Sequence, residues 1–393
     1  MFDFESKIAP EARVEEVTLD AEALQQVETE IVQIEADFEA LQVEEGLLLS
    51  FGTAVENKLQ SIDKESLTAA DVESFRAYVV GAASVLNMSP TTVGMDTESE
   101  IVDPKASFDQ DLEGLKDFAK KAWEYIKKMV AKFSNMVRKV TVKIMAAVGN
   151  KTKSFEELTK TIQDGEGFES VTIAGGGLAK SIYATAIVEG EFDEKGTDLL
   201  KVLQNVGGKP INAEELVKAI KAGGEDGWLG KTISDNKDAK MDSDLEKGID
   251  KKSKEALKGG EFYIVRPKCS SVVGIKVSTD GKVSKETVKL EKMPEEVMIK
   301  TLDDKAALDI CKSGLAMSKG MKEITTSVMG LQDDVTKLIA DKEKAEEEVT
   351  SELKTAFNIA PFIAFQTCLA HFDAIKKLEQ GVTFSMAAKV ETK

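Results

Sequence analysis

Residues 115–144 read LKDFAKKAWEYIKKMVAKFSNMVRKVTVKI. Apolar side chains recur there every three or four residues, which is the spacing of one face of an α-helix. The apolar positions are Leu115, Phe118, Ala119, Ala122, Ile126, Met129, Val130, Phe133, Val137, Val140 and Ile144. This pattern predicts a long amphipathic helix of about eight turns, and it favours a fold built mainly from helices.

The other side of this predicted helix is strongly basic. Its nine basic residues are Lys116, Lys120, Lys121, Lys127, Lys128, Lys132, Arg138, Lys139 and Lys143. Only Asp117 and Glu124 oppose them within the stretch, and Trp123 and Tyr125 lie near the border of the two faces. Such faces bind polyphosphate chains by releasing counterions, and with border aromatics they also suit anionic membranes. We therefore take the nine bases as candidate nucleic-acid-binding or anionic-surface-binding residues; lysines that only face water are the alternative.

The charge of the chain is distributed very unevenly. The 393 residues include 52 Lys and Arg against 70 Asp and Glu, a net charge of −18. Residues 1–104 hold 23 acidic and five basic side chains, so they carry this entire net charge. The asymmetry is typical of an acidic arm attached to a neutral body. The arm is either a solvated helical domain or a segment with a separate role, such as a removable propeptide or an assembly arm.

Two helices are predicted within the acidic arm. The first has a coiled-coil-like heptad seam, formed by Leu24, Val27, Ile31, Ile34, Phe38, Leu41 and Leu48. The second follows Thr68, which can cap it, and ends near Asn87. Its expected core is Val72, Phe75, Val79, Val80 and Ala83. Residues 88–107 lack periodicity and are predicted to be a linker.

A small α+β domain is predicted over residues 151–300. Short strands are expected on both sides of the Gly175–Gly177 run, including Ser181–Val188, and helices near 194–205 and 212–222. Residues 223–260 are rich in Gly, Lys and Asp, which predicts loops.

A β-hairpin is expected further along this domain. Residues 271–279 and 282–290 flank Asp280-Gly281, the dipeptide that favours a type I′ turn. Phe262–Val265 is a candidate third strand.

Residues 301–393 are predicted to be helical and coiled-coil-like. Apolar residues recur there at alternating spacings of three and four residues, a pattern that breaks at Lys342 and resumes at Ala345 and Val349. Before the break, the apolar positions of this pattern are Met321, Ile324, Val328, Leu331, Val335 and Leu338. Phe357–Leu378 is more apolar and is expected to pack inside. The predicted fold class is mostly α with a small α+β middle domain, divided as 1–104, 105–150, 151–300 and 301–393.

The composition argues against several classes of protein. The chain has one histidine, His371, and three cysteines, Cys269, Cys311 and Cys368, which are too few and too scattered for an ordinary four-ligand zinc site. Their odd number favours reduced thiols. The N-terminus lacks the pattern of a signal peptide. The longest uncharged stretch, 356–372, is too short to span a bilayer and contains Pro361.

Three short motifs resemble a phosphate loop, a calcium loop and a nucleophile–base pair, but each has a feature that argues against that function. Gly175 to Ser181 has Ala179 where a phosphate loop needs glycine, so a turn between strand and helix is favoured. Asp235–Glu246 has the length of a calcium loop, but lysines occupy key positions. Cys368 and His371 lie one helical turn apart in an apolar stretch, where packing is the favoured role. We expect no catalytic residue, no cofactor, no metal and no small-molecule substrate.

Three parts of the chain resemble the internal head (inner-body or prohead core) proteins of large tailed bacteriophages. They are the acidic helical stretch Ala21–Glu28, the Trp-x-x-Ile-Lys pattern at Trp123–Lys127 within the basic helix, and the Ala/Lys-rich helical C-terminus. The resemblance implies a protein made in the host cytoplasm and packaged with DNA inside the capsid. It also implies removal of an acidic N-terminal propeptide by a prohead protease that cuts after Glu, with Glu98 and Glu100 as candidates.

We therefore expect a non-enzymatic virion structural protein. Its partners would be other virion proteins or further copies of itself through helices, with non-specific DNA contact. Two alternatives stay open: a membrane-active protein that uses helix 115–144 on anionic lipid, and a cytoplasmic helical scaffold whose basic helix docks on an acidic partner.

Overall fold

The computed structural model describes most of the chain and forms two compact units. The N-terminal unit is Thr29–Met136, and the C-terminal unit is Val137–Lys393 with the described residues before Thr29. The described residues are 27–38, 40, 46, 51, 55, 58–62, 66–85, 89, 93, 101–165, 167–206, 213–222, 228–235, 240–241, 243–291, 293–347 and 349–391.

Helix α1 covers residues 27–38. The four predicted seam positions within it, Val27, Ile31, Ile34 and Phe38, are buried, which confirms this part of the heptad pattern. The other three positions, Leu24, Leu41 and Leu48, lie outside the described residues.

Helix α2, Ala69–Val85, begins with the predicted cap. Asp71 donates its backbone N–H to the Thr68 hydroxyl (3.3 Å), and Asp71 in turn accepts from the Thr68 backbone N–H (2.9 Å). This reciprocal pair satisfies two backbone donors at the helix start. Four of the five expected core residues are fully buried, and Val80 is half-buried.

Helix α3 is much longer than predicted. It runs from Pro104 to Asp164, 61 residues, instead of from Leu115 to Ile144. Proline suits the first turn of a helix, and the Asp103 side chain accepts from the backbone N–H of Lys105 (3.0 Å). The linker prediction is therefore wrong at its end, because Asp103-Pro104 is a helix start. Residues of α3 up to Met136 belong to the N-terminal unit, and the rest belong to the C-terminal unit.

The core of the N-terminal unit joins helix α2 to the first half of α3. Phe75 and Phe108 pack edge to face, with ring centroids 5.1 Å apart. The Arg76 Nε donates to the Asp111 carboxylate at 2.7 Å, and both side chains are buried. The compact unit therefore crosses the sequence boundary predicted at residue 104.

The first sheet of the C-terminal unit has the strand order β1-β6-β2. These strands are β1 (Thr172–Ala174), β2 (Thr197–Asp198) and β6 (Met298–Lys300). Strand β6 is antiparallel to β1 and parallel to β2. The strand predicted at Ser181–Val188 is wrong, because Gly176–Val188 is helix α4. Most of α4 is buried apolar sequence, so no polar face reveals its period.

The second sheet confirms the predicted hairpin and its third strand. Strands β3 (Gly260–Pro267), β4 (Ser271–Ser278) and β5 (Val283–Lys289) are antiparallel in that order.

The turn of this hairpin differs from the predicted type. The Gly281 N–H donates to the Ser278 carbonyl, and the Ser278 N–H donates to the Lys282 carbonyl, at 2.8 Å each. Gly281 has φ +81°, whereas Asp280 has no positive φ. A three-residue loop with glycine in the left-handed region thus replaces the two-residue type I′ turn.

Short helices fill the rest of the middle region. Helices α5 (Leu199–Gln204) and α6 (Ala213–Ala222) lie where helices were predicted. The loop prediction for 223–260 is wrong in part, since it contains α7 (Trp228–Ser234), α8 (Ser243–Lys247) and α9 (Lys251–Leu257). Helices of five to seven residues are too short to show a helical period in sequence.

Two long helices, α10 (Asp304–Lys344) and α11 (Ser351–Glu391), pack against each other in the C-terminal third. Helix α10 ends close to the predicted break at Lys342. The predicted apolar spacing does not continue at Ala345, because this residue is the C-cap of α10. Residues 356–370 of α11 are all buried, which confirms the expected internal packing. The fold class is mostly α with a small α+β part, as predicted.

Candidate nucleic-acid interface

The two faces of α3 are separated as the sequence predicted, with one exception. Along the basic stretch the buried positions are Leu115, Phe118, Ile126, Val130, Phe133, Val137, Val140 and Ile144. Ala122 and Met129 are half-buried, whereas Ala119 is exposed and does not belong to the apolar face. Packing of this seam fixes the rotation of α3 about its axis, because helix side chains three and four residues apart share one face. The basic side chains are thereby directed outward.

All nine candidate bases lie on this one helix. Six lie in the N-terminal unit and three, Arg138, Lys139 and Lys143, in the C-terminal unit. Lys127 and Lys143 are half-buried, and the other seven are exposed. The helix therefore presents most of its predicted positive charge to solvent.

Some of these bases are engaged by acids. Lys127 pairs with Glu124 at 2.5 Å, and its ammonium lies 6.0 Å from the centroid of the Trp123 ring. Arg138 pairs with Asp333 of α10. Within the described part of the chain, six of the bases have no ion-pair partner. These six are Lys116, Lys120, Lys121, Lys128, Lys132 and Lys139.

Five of these six lysines lie in the N-terminal unit. They extend from Lys116 to Lys132, which is about 24 Å along the helix axis at 1.5 Å per residue. At about 100° per residue these lysines are spread over nearly half of the helix circumference, so they form a broad basic surface. Duplex DNA carries one negative charge per about 1.7 Å of axis, so such a surface can contact several phosphates. Lysine ammonium groups suit phosphates as point charges, without reading base edges.

Sequence reasoning missed a groove beside this basic surface. It is lined by Asp37 and Ala40 and, on α3, by Tyr125, Lys128, Met129, Lys132, Phe133 and Met136. The spacing of Met129, Phe133 and Met136 predicts that they lie on the same side of α3. The tertiary packing was needed to show that α1 does not cover this side completely.

The glycine-rich phosphate-loop candidate is a packed turn. Gly175 connects β1 to α4 and donates its N–H to the Val297 carbonyl at 2.8 Å. A Cβ at this position would lie 2.3 Å from Ile299 Cδ1, so a larger residue would force the Ile299 side chain to shift. This confirms the predicted turn between a strand and a helix. Within the described ranges, no cluster of three or more His, Cys, Asp or Glu side chains is arranged to hold a metal.

Cys368 and His371 lie on the buried part of α11. Burial raises the pKa of the Cys368 thiol to about 11, so the thiol is protonated at neutral pH. His371 is half-buried, and its Nδ1 donates to the Thr367 carbonyl at 2.9 Å. Neither group is activated as a nucleophile–base pair requires, which favours packing as their role.

The single histidine makes stability pH-dependent in a defined window. Burial lowers the pKa of His371 below 6.5, an effect partly offset by its hydrogen bond to Thr367. The unfolded chain therefore binds this proton more readily, and stability falls as pH drops through 6.5, by at most about 1.4 kcal/mol per pH unit. Urea unfolding of the wild type between pH 7.5 and 5.5 should show this loss, and His371→Gln should lack it. Equal pH dependence in the two proteins would contradict the assignment.

The comparisons with known proteins decide the family. The model of a family described as phiKZ-like phage internal head proteins matches residues 11–361. The chain belongs to this family. No curated protein and no solved structure gives a significant match.

Membership of the phiKZ-like phage internal head proteins confirms the resemblance seen in the sequence. The protein is a structural component of a bacteriophage virion and is located inside the phage head. Among the described residues, no helix is both long enough and apolar enough to cross a membrane. The two cleavage candidates of this internal head protein, Glu98 and Glu100, lie outside the described residues.

Proposed function

We propose that this internal head protein is packaged with DNA and contacts it non-specifically through the basic side of α3. The exposed lysines of the N-terminal unit, which have no ion-pair partners within the described residues, carry this proposal. Counterion release at such lysines supplies affinity without sequence preference. The protein would thus bind packaged DNA while it serves as a non-enzymatic structural component, together with other virion proteins or further copies of itself.

The salt dependence of DNA binding tests this contact. If the five lysines from Lys116 to Lys132 each neutralise a phosphate, affinity should fall about 500-fold between 50 and 200 mM salt. The variant Lys116→Gln/Lys120→Gln/Lys121→Gln keeps two of the five, so its affinity should fall only about 12-fold over the same range. Filter retention of an arbitrary DNA duplex by the full chain measures both slopes.

A matched control removes three exposed lysines elsewhere. Lys305, Lys319 and Lys322 lie exposed on α10, and changing all three to Gln removes the same charge. This control should retain the wild-type slope. If both triple variants flatten the slope equally, the effect comes from net charge and not from α3.

The same preparations separate DNA contact from the membrane alternative. Tyr125 is 49% exposed on α3, a position that would also suit a lipid interface. Flotation with anionic vesicles, without retention of DNA, would favour the membrane-active function instead.

We also propose processing within the acidic arm, after Glu98 or Glu100. Two glutamates later in the chain, Glu156 and Glu169, also follow a small residue two positions earlier, but they are poor candidates because proteases prefer exposed loop segments. Ser154-Phe-Glu156 lies inside α3 with Phe155 fully buried. Gly167-Phe-Glu169 is tied to the start of α10, where Asp304 donates its N–H to the Phe168 carbonyl at 3.1 Å.

Mass spectrometry of the protein from purified phage heads tests the processing proposal. The expected N-terminus is residue 99 or 101, with the bonds after Glu156 and Glu169 intact. An intact first hundred residues in the head would contradict it. The buried contacts of Phe75 and Arg76 with α3 predict that the severed arm stays bound until it unfolds or is degraded.

A further inference from the structure

The groove on the N-terminal unit has the size of a small-molecule site. Its volume is about 460 Å³, and pockets for small ligands typically measure about 300–1,000 Å³. Asp37 and Ala40 line one side, and residues of α3 between Tyr125 and Met136 line the other. All of these residues belong to the N-terminal unit, so the groove lies within one compact unit.

The α3 side of the groove offers an aromatic ring and adaptable apolar surface. Tyr125 lines the groove and is 49% exposed, and Met129 and Met136 are half-buried. Phe133 is fixed by ring packing on Phe38, with centroids 4.6 Å apart. Methionine side chains adjust to an inserted group, and their sulfur atoms make favourable contacts with aromatic rings. This surface therefore suits a planar ring that stacks on Tyr125.

The two sides of the groove carry opposite charges. Lys128 and Lys132 on α3 are exposed and one helical turn apart, about 6 Å along the axis. Among the described residues, neither has an ion-pair partner. Asp37 on α1 accepts from the Gln33 amide at 2.8 Å. A carboxylate can accept several hydrogen bonds, so Asp37 keeps capacity for a donor inside the groove.

This combination selects a nucleotide over other ligands with an apolar and an anionic part. A hydrocarbon chain would cover the Asp37 carboxylate without offering it a hydrogen bond, which costs free energy. A nucleobase has apolar faces for stacking, and most bases carry an amino group at the edge from which Asp and Glu accept hydrogen bonds. Its phosphates supply the negative charge that the two lysines favour.

We propose that the groove binds an unpaired nucleotide of a single DNA strand. The base stacks on Tyr125, its amino group donates to Asp37, and the neighbouring phosphates meet Lys128 and Lys132. This inference rests on the proposed DNA contact and deepens it, because it adds a base-binding site to a surface that otherwise contacts phosphates alone. A base within a duplex would first have to leave its stack, so the site serves single-stranded segments and ends.

Fluorescence anisotropy with the nuclease-treated full chain tests the stacking contact. Labelled single-stranded oligo(dC) of about 12 nucleotides is titrated beside a duplex of the same length. Tyr125→Leu should weaken the binding of oligo(dC) about 5- to 150-fold, the effect of losing one stacked base, and should leave the affinity for the duplex unchanged. The matched control Tyr78→Leu removes a ring that is 42% exposed on α2 and should bind both like the wild type.

A second comparison tests the contact with the base edge. Cytosine carries an amino group and thymine does not. The wild type should therefore bind oligo(dC) about fivefold more tightly than oligo(dT), which is the effect of about one net hydrogen bond. Asp37→Ala should bind the two strands equally. Circular dichroism checks that each variant retains its helices.

The outcomes separate the groove from the DNA contact on which it rests. Salt-dependent binding of both nucleic acids that Tyr125→Leu leaves unchanged would overturn the base-binding site alone, and absence of any DNA binding would overturn both proposals. The mononucleotide dCMP has one phosphate and should displace oligo(dC) only weakly; displacement as strong as by unlabelled oligo(dC) would contradict a site for a strand. If Tyr125→Leu loses binding to anionic vesicles but keeps oligo(dC), the groove is a lipid site instead.

Discussion

Replacing Asp111 by alanine is expected to lower the free energy of unfolding by about 3–5 kcal/mol, because it leaves a buried guanidinium without its carboxylate. The Arg76 and Asp111 side chains are only 8% and 1% exposed, and their hydrogen bond is 2.7 Å long. The pair joins α2 to α3 in the core of the N-terminal unit. Urea unfolding of the full chain, followed by circular dichroism, measures the loss.

Two further variants show whether the loss comes from the buried charge of Arg76. Asp309→Ala breaks an exposed pair with Lys312 and should cost no more than about 1 kcal/mol. Arg76→Met/Asp111→Leu removes both charges and should recover most of the stability that Asp111→Ala loses. If the double variant is as unstable as Asp111→Ala, the two side chains matter through their shape and not through their charge.

Replacing Gly274 by alanine is expected to destabilise the second sheet by about 3 kcal/mol or more, at the upper end of the cost of overpacking. A Cβ at this position in β4 would lie 2.1 Å from the Tyr263 carbonyl oxygen and 2.7 Å from Phe262 Cζ. The carbonyl belongs to the neighbouring strand β3, so the backbone itself would have to shift. Thermal unfolding and the soluble yield of the full chain report the effect.

The control for this prediction is the same substitution at Gly320. This glycine lies inside α10, and a Cβ there would meet nothing within 4 Å. Gly320→Ala should therefore stabilise the protein by about 0.5–1 kcal/mol, because alanine favours the helix and restricts the unfolded chain. Destabilisation at both glycines would show that the Gly274 effect does not arise from close strand contact.

Charge patterning along the chain was sufficient to predict the candidate interface. The alternation of apolar and basic residues along 115–144 depends only on helix geometry, so it located the buried and exposed sides of α3. The exception, Ala119, is small enough to be exposed at little cost. The groove could not be predicted in this way, because it is formed by residues of α1 and α3 that lie far apart in the chain.

The sequence by itself determined the features that depend on neighbouring residues: the helical periods, the cap at Thr68, the hairpin around Gly281 and the separation of charge between the first quarter and the rest. Tertiary structure alone decided that Arg76 meets Asp111, that the apolar segment before Val188 is a helix, and that the first half of α3 shares a core with the acidic arm. The physical reason is that periods and caps arise from local backbone geometry. Which distant surfaces pack together depends on shape and burial across the whole unit, which no local pattern records.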